Sequence, residues 1–301
     1  MMLSIIFVMI TMSLASGRRI TEVLVEKADI VNPENPVTEV ENGSIDFNGV
    51  DFSYKHGSGE DVLKDIDLHI ASGETVGIIG ATGSGKSSLV NLVSRLYDVD
   101  KGEVRVGGRD VREYDLETLR NNVAVVLQKN VLFSGTILEN LRWGKEDATL
   151  EECREACRQA CADGFIESFP DKYDTYIEQG GSNVSGGQKQ RICIARALLK
   201  KPKVLILDDS TSAVDTSTDA SIQKAFAEKI PGTTKLIISQ RISSVENADR
   251  IIVMDEGRIN AFDTHDNLLR ENRIYKDIYD MQIKGVGDFD QPPASQGKEG
   301  M

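Results

Sequence analysis

Cysteine is scarce in this chain: 4 residues in 301, all between Cys153 and Cys193. That is too few for the disulfide framework of a small secreted domain. Only 7 prolines stand beside 26 glycines, which excludes a spacer and points to tight backbone turns in an ordered fold. Basic residues are in deficit, 35 against 48 acidic, giving a net charge of -13 at pH 7. A surface of that sign repels phosphate backbones and argues against nucleic-acid binding, while leaving room for a small local anion site. With 40% hydrophobic and 28% charged residues, the chain is neither disordered, collagenous nor a polytopic membrane protein. It has the balance of a soluble α/β protein with a proper core.

The N-terminus stands apart. Met1 to Gly17 (MMLSIIFVMITMSLASG) carries no charge, and Arg18 and Arg19 follow at once. A signal peptide would need positive charge before its apolar run, and nothing but the terminal amine precedes it here. The preferred reading is the end of a transmembrane helix leaving the bilayer at the arginine pair, as the positive-inside rule favours. Seventeen helical residues span about 25 Å, short of the ~30 Å bilayer core. A buried soluble helix is the remaining alternative. Ile20, Val23 and Leu24 continue the helical spacing.

Residues 18–43 then read as a helical extension and a polar linker, Asn32 to Asn42. From Ser44 the pattern becomes strand-like, with Ile45, Phe47, Val50, Phe52 and Tyr54 interrupted by Asn48-Gly49. Apolar strands are expected at Thr75–Ile79, Val123–Leu127, Val204–Leu207, Leu236–Ile238 and Ile251–Met254. Helices are expected from Lys86 to Tyr97, across Thr136 to Phe169, and from Ile274 to Ile283. Residues 285–301 have a disordered composition. Strands alternating with helices, with glycines and acids at strand ends, imply an α/β fold: a mostly parallel sheet covered on both faces.

Three motifs carry chemistry. Gly80-Ala81-Thr82-Gly83-Ser84-Gly85-Lys86-Ser87 is a full phosphate loop between a strand and a helix. Its glycines let successive N–H groups face phosphate oxygens, and the helix adds the positive end of its dipole. Lys86 can neutralise phosphate charge, and the Ser87 hydroxyl can ligate Mg²⁺. Second, Lys203 to Leu207 is an apolar strand that delivers Asp208-Asp209, carboxylates suited to a Mg²⁺ shell. Third, Val184-Ser185-Gly186-Gly187-Gln188 opens an amphipathic helix and forms a second glycine-lined helix N-terminus. Cys153, Cys157 and Cys161 lie four apart and read as a small apolar stripe rather than a metal site. His56, His69 and His265 lack ligand spacing.

With these motifs in this order, the stretch from Ser44 to Lys284 resembles the nucleotide-binding domain of ATP-binding cassette (ABC) transporters. The resemblance implies a RecA-like P-loop NTPase core with an antiparallel β subdomain and an α-helical subdomain, preceded by a membrane-helix stub. It implies ATP and Mg²⁺ as ligands. Tyr54 matches the adenine-stacking aromatic, Gly80 through Ser87 with Ser88 the phosphate site, and Gln128 the Q-loop glutamine. Ser87, Gln128 and Asp208 are then the Mg²⁺ ligands. Ser185, Gly186, Gly187 and Gln188 form the signature motif that acts on a partner's nucleotide, and Asp215 belongs to the D-loop. Phe133 to Ile137 with Asn140 resembles the exporter subclass, in which half-transporters fuse membrane and nucleotide domains; most of the membrane domain is then not represented in this chain.

Two positions depart from that pattern. The family usually has glutamate as general base after the Walker B aspartate, and this chain has Asp209. It usually has a switch histidine, and this chain has Gln240. Asp209 withdraws the carboxylate by one methylene, about 1.5 Å, from its hydrogen-bonding reach. Gln240 can still hydrogen-bond a phosphate but cannot take up a proton or a positive charge. The X-loop, Ile177 to Gly181, is altered as well. The pattern resembles the degenerate-site subunit of a heterodimeric, multidrug-type exporter, a homodimer being the other pairing, with its nucleotide domain on the cytoplasmic face of the cell membrane. A soluble cassette ATPase without a transport role and a non-hydrolysing ATP-dependent dimerisation module are the competing functions. The cargo is not legible.

Overall fold

The structure, a computed structural model, describes residues 2–55, 59–208 and 216–283. Asp209, the D-loop Ser212 to Asp215, His56 and the tail fall outside them. The chain divides into a small N-terminal unit ending at Val31 and a large unit from Asn32.

The N-terminal unit is one helix, α1 (Met2–Val25), in which no residue is buried. It runs without a break through Arg18 and Arg19, so its 24 residues reach about 36 Å, enough for the ~30 Å bilayer core. It is long and apolar enough to cross a membrane by length and composition.

The large unit contains β1 (Ile45–Phe52), β2 (Leu63–Ile70), β3 (Thr75–Gly80), α2 (Lys86–Val93), β4 (Lys101–Val106) and β5 (Arg109–Asp110). Next come α3 (Leu116–Asn122), β6 (Val123–Val126), β7 (Gly135–Thr136), α4 (Ile137–Arg142), α5 (Leu150–Gln159) and α6 (Asp163–Glu167). Then follow β8 (Tyr176–Ile177), α7 (Gly186–Leu198), β9 (Val204–Asp208), α8 (Thr216–Lys229) and β10 (Thr234–Ile238). The unit closes with β11 (Arg250–Asp255), β12 (Arg258–Asp263), α9 (His265–Glu271) and α10 (Arg273–Ile283).

The central sheet has the order β12-β11-β3-β10-β9-β6. Its neighbours are parallel except for the antiparallel edge pair β11 and β12. Its strands are apolar runs because both faces are buried, and a two-residue period shares them between two cores. Val76, Ile78, Val204, Ile206, Leu236 and Ile238 belong to one core. Ile79, Leu205, Leu207, Ile237 and Val253 belong to the other. The first core is closed by α2 and by an antiparallel sheet of order β2-β1-β4-β5. The second is closed by helices, including residues of α4, α5, α7 and α10. This is the expected α/β architecture.

Three local expectations are corrected. The helix after the phosphate loop stops at Val93, not Tyr97, because Arg95 turns to φ 49°, a conformation no helix continues through. Arg95 is buried there and paired with Asp98 at 2.8 Å. The polar stretch Asn32 to Asn42 lies on the large unit rather than free of it: Asn32 Nδ2 donates to Asp115 Oδ1 at 2.7 Å, and Val37 pairs with Tyr114. Cys161 is not on the α5 face, since the helix ends at Gln159 and Cys161 takes φ 53°. Cys153 and Cys157 are buried, and burial pushes the Cys157 thiol up to about 12. Among the described residues no group of three or more His, Cys, Asp or Glu is placed to hold a metal.

Candidate functional site

Four neighbouring parallel strands end together, and each hands one chemical group to the same place. In register, Ile238 of β10 sits between Ile78 of β3 and Asp208 of β9, and Val126 of β6 pairs with Leu207. The residues just beyond these strand ends are the phosphate loop, Gln128 and Gln240, while Asp208 is itself the last residue of β9. Ligands of open parallel sheets bind at such carboxyl ends. A cavity of about 420 Å³ opens there, lined by Tyr54, Val62, Thr82, Gly83, Gly85, Lys86, Ser87, Ser88, Gln128, Asp208, Ile238 and Gln240. Residues far apart in sequence and singled out separately thus share one wall.

The loop's shape is set by close approach and left-handed backbone. At Gly80 a Cβ would lie 2.3 Å from the carbonyl oxygen of Met254 on β11, so a side chain would push the loop off the sheet. Gly85 is the N-cap of α2 at φ 95° and leaves the helix without a side-chain cap, so no capping side chain stands between the first turn and an anion. Lys86 Nζ lies over the loop, donating to the carbonyls of Gly80 and Ala81 at 2.8 Å each. Ser84 is buried under the turn, its N–H bonded to Ala81 O at 3.1 Å.

The Ser87 hydroxyl donates to Asp208 Oδ1 at 3.2 Å. Burial pushes the Asp208 carboxyl above its ordinary value, against the opposing pull of the Ser87 hydroxyl and the Lys86 charge. A hydroxyl and a half-buried carboxylate are hard oxygen donors, and Gln128, a residue with a third, lines the same cavity; this is the set that suits Mg²⁺.

At the cavity mouth Tyr54 is about half exposed. Its hydroxyl is 2.8 Å from Ser88 Oγ, and its ring meets Phe52 and Tyr97 edge-on at centroid distances of 5.0 Å each. The ring is therefore held from three sides with part of its surface open, as a stacking platform requires.

The signature residues lie outside this cavity. Ser185 caps α7, accepting from Gln188 N at 3.3 Å, and Gln188 Oε1 accepts from Ser185 N at 2.9 Å. Sequence reasoning also missed a second cavity of about 340 Å³ below the Phe133–Asn140 segment. Asn140 is buried and fastens that segment, donating to Phe133 O at 2.8 Å and accepting from Phe133 N at 2.9 Å. Exposed Phe133 and Trp143 stack at 4.6 Å, and Arg120, Lys129, Arg196 and Lys200 line the same hollow. In a chain of net charge -13, this is a local reversal of sign.

A phosphate loop and an acidic strand end converging on one cavity of a parallel sheet define a P-loop NTPase domain. Comparison with known proteins narrows the class. Residues 63–212 match the ABC transporter family. The chain is 40% identical over 293 residues to the uncharacterized ABC transporter ATP-binding protein YknU of Bacillus subtilis, covering 97% of this chain and 50% of that protein. It is 41% identical over 242 residues to an ATP-dependent lipid A-core flippase of Hahella chejuensis, covering 80% of this chain and 41% of that one. A solved bacterial Atm1-family ABC exporter with ATP bound matches with a TM-score of 0.86 at 30% identity, over 93% of this chain and 49% of that chain. The chain spans about half the length of the relatives it matches. It carries the nucleotide-binding domain of the ABC transporter family.

Proposed function

We propose that this chain is the ATP-binding subunit of an exporter, coupling ATP binding and hydrolysis to export across the cell membrane. The observation that carries the reading is the single cavity in which Tyr54, Lys86, Ser87, Gln128, Asp208 and Gln240 meet. Tyr54 stacks on adenine, Gly80, Ala81, Thr82, Gly83, Ser84 and Gly85 wrap the phosphates, and Lys86 and Ser88 meet their charge. Ser87, Gln128 and Asp208 hold Mg²⁺, which when bound offsets phosphate charge as a Lewis acid. Gln240 reaches the last phosphate as a neutral donor. Asp209 is the general base in sequence position, with a shortened reach.

The apolar, 24-residue α1 supports membrane attachment, with the nucleotide domain on the cytoplasmic face. The basic, aromatic hollow at Phe133 and Trp143 is suited to helices of a membrane domain. A second half-transporter supplies the other nucleotide domain. Glutamine and aspartate at positions 240 and 209 support a heterodimer in which this chain's own site turns over slowly, while Ser185, Gly186, Gly187 and Gln188, with Asp215, complete the partner's site. The flippase named above and the exporter-like Phe133–Asn140 segment favour this reading over a soluble ATPase.

The test is steady-state hydrolysis by the complex with its partner. Gly186→Asp should collapse it, because a carboxylate then faces the partner's phosphate; a lost base elsewhere costs about 10²–10⁴-fold. Asp209→Asn should change it little. If Asp209→Asn alone removes most of the activity, the degenerate-site reading fails. If neither the wild-type complex nor any variant turns over ATP, the non-hydrolysing module is correct.

A further inference from the structure

Gln240 lines the nucleotide cavity, and its backbone carbonyl is held from another quarter. The C-terminal helix α10 presents Tyr275, Ile278 and Gln282 at spacings of three and four, one face of a helix. Tyr275 and Ile278 are buried in the helical core, which fixes where the next turn of that face falls. It falls on the segment that follows β10. Gln282 Nε2 donates to the carbonyl of Gln240 at 2.6 Å, and Gln282 Oε1 accepts from the N–H of Ile242 at 2.9 Å. One primary amide thus satisfies an acceptor and a donor two residues apart, as a paired strand would.

The rest of the segment is tied from its own side of the chain. Ser239 N donates to Ile78 O at 3.2 Å beside the phosphate-loop strand, and Arg241 N donates to Ser239 Oγ at 2.9 Å. Ile242 is buried, and Val245 N and Glu246 N both donate to Ile242 O at 2.8 Å. Between the bonds at Ser239 and at Ile242, the carbonyl of Gln240 is held by Gln282.

We propose that Gln282 is a positioning residue for Gln240. By bridging residues 240 and 242 it holds the switch segment in the orientation that keeps Gln240 in the cavity, and it transmits nucleotide occupancy to α10. The inference rests on the reading of the cavity as the nucleotide site. A purely structural glutamine would stabilise α10 and nothing more. A positioning one makes α10 respond to ATP.

Hydrogen–deuterium exchange of the full chain with and without Mg·ATP separates these roles. In the wild type, Mg·ATP should slow exchange in residues 80–88 and also at Ile242 and along α10. Gln282→Met keeps the length and removes both bonds. It should leave the protection of 80–88 intact, abolish the response of α10, and speed exchange at Ile242 by about fivefold, the factor expected for one net hydrogen bond. Gln282→Glu keeps the acceptor for Ile242 but loses the donor to Gln240. It should restore slow exchange at Ile242 without restoring the response of α10. Protection of 80–88 with Ile242 and α10 unchanged in the wild type overturns the inference alone. A full α10 response in either variant also overturns it. Absence of protection at 80–88 in the wild type overturns the nucleotide reading of the cavity, and the inference with it.

Discussion

Two helices of this domain, α2 and α7, begin on glycine-rich turns, and their first turns are completed in opposite ways. At α2 the cap is Gly85 in the left-handed region, with no side chain returning to the backbone. At α7 Ser185 and Gln188 close a reciprocal capping box, so two of the backbone donors there are already satisfied. A helix end left open under a lysine is built to receive an anion in its own chain. A helix end that caps itself is stable without one, and offers only the glycine backbone of Gly186 and Gly187 to whatever approaches from outside. The two termini are thus not equivalent as anion sites. The difference also supports the proposal that α2 serves this chain's nucleotide and α7 a partner's.

The largest effect that sharpens the comparison is at α2. Lys86→Ala should weaken ATP binding by about 10²-fold, the scale of one or two charge-assisted hydrogen bonds. Titration with ATP and ADP reads it, and the loss should be greater for ATP. Next is the base platform: Tyr54→Ala should cost about 1–3 kcal/mol of ATP affinity if the ring stacks on adenine. Tyr54→Phe, which removes only the bond to Ser88, should cost less than ~1.5 kcal/mol.

Asp208 gives a pH-linked effect. Its carboxyl is raised by burial, so the folded state holds the proton more tightly than the unfolded chain does. The stability this adds is complete below the unfolded pKa of about 3.9 and is lost as pH rises through the higher folded value. Above that folded value the ionised carboxylate weighs against the fold until a cation joins it. Asp208→Asn should raise the thermal midpoint of the nucleotide-free protein at pH 7, by less than about 4 °C for a domain of this size, and erase any gain from Mg²⁺ with ATP. A midpoint lowered by this substitution would contradict the burial argument.

The smallest effect is at α7. Ser185→Ala removes the cap and should cost about 1 kcal/mol of stability, with ATP affinity of the isolated chain unchanged. Thr149→Ala, at the capping box of α5, should cost about the same and serves as the control without any role toward a partner. Denaturant unfolding of both variants measures it.

How much of this was legible depended on whether a feature is local. β3, β9, β10 and β11 were readable because strands buried on both faces are apolar runs, and the phosphate loop because its glycines are required by geometry in place. β2 was not read. Its alternation of Leu63, Ile66, Leu68 and Ile70 is put out of phase by Asp65 at φ 52°, where the pairing with β1 shifts register. A bulge of this kind hides a two-residue period. The seating of Asn32 against Asp115 depends on a partner 83 positions away, and the early stop of α2 on a left-handed turn at Arg95 that no apolar period signals. Within the cavity every described lining residue with chemistry was singled out beforehand, whereas Gln282 was not, since its partners are 40 and 42 positions away. Trp143 and Arg196, which complete the basic hollow, were missed because their partners too are distant in sequence.

On this reading the open terminus of α2 holds nucleotide within this chain while the capped terminus of α7 does not. ATP titration of the isolated chain carrying Gly186→Asp, beside Lys86→Ala, tests it most directly. Gly186→Asp should bind ATP as the wild type does, while Lys86→Ala should lose about 10²-fold. If Gly186→Asp weakens binding in the isolated chain as much as Lys86→Ala, the two termini serve the same nucleotide, which contradicts a separate role for α7.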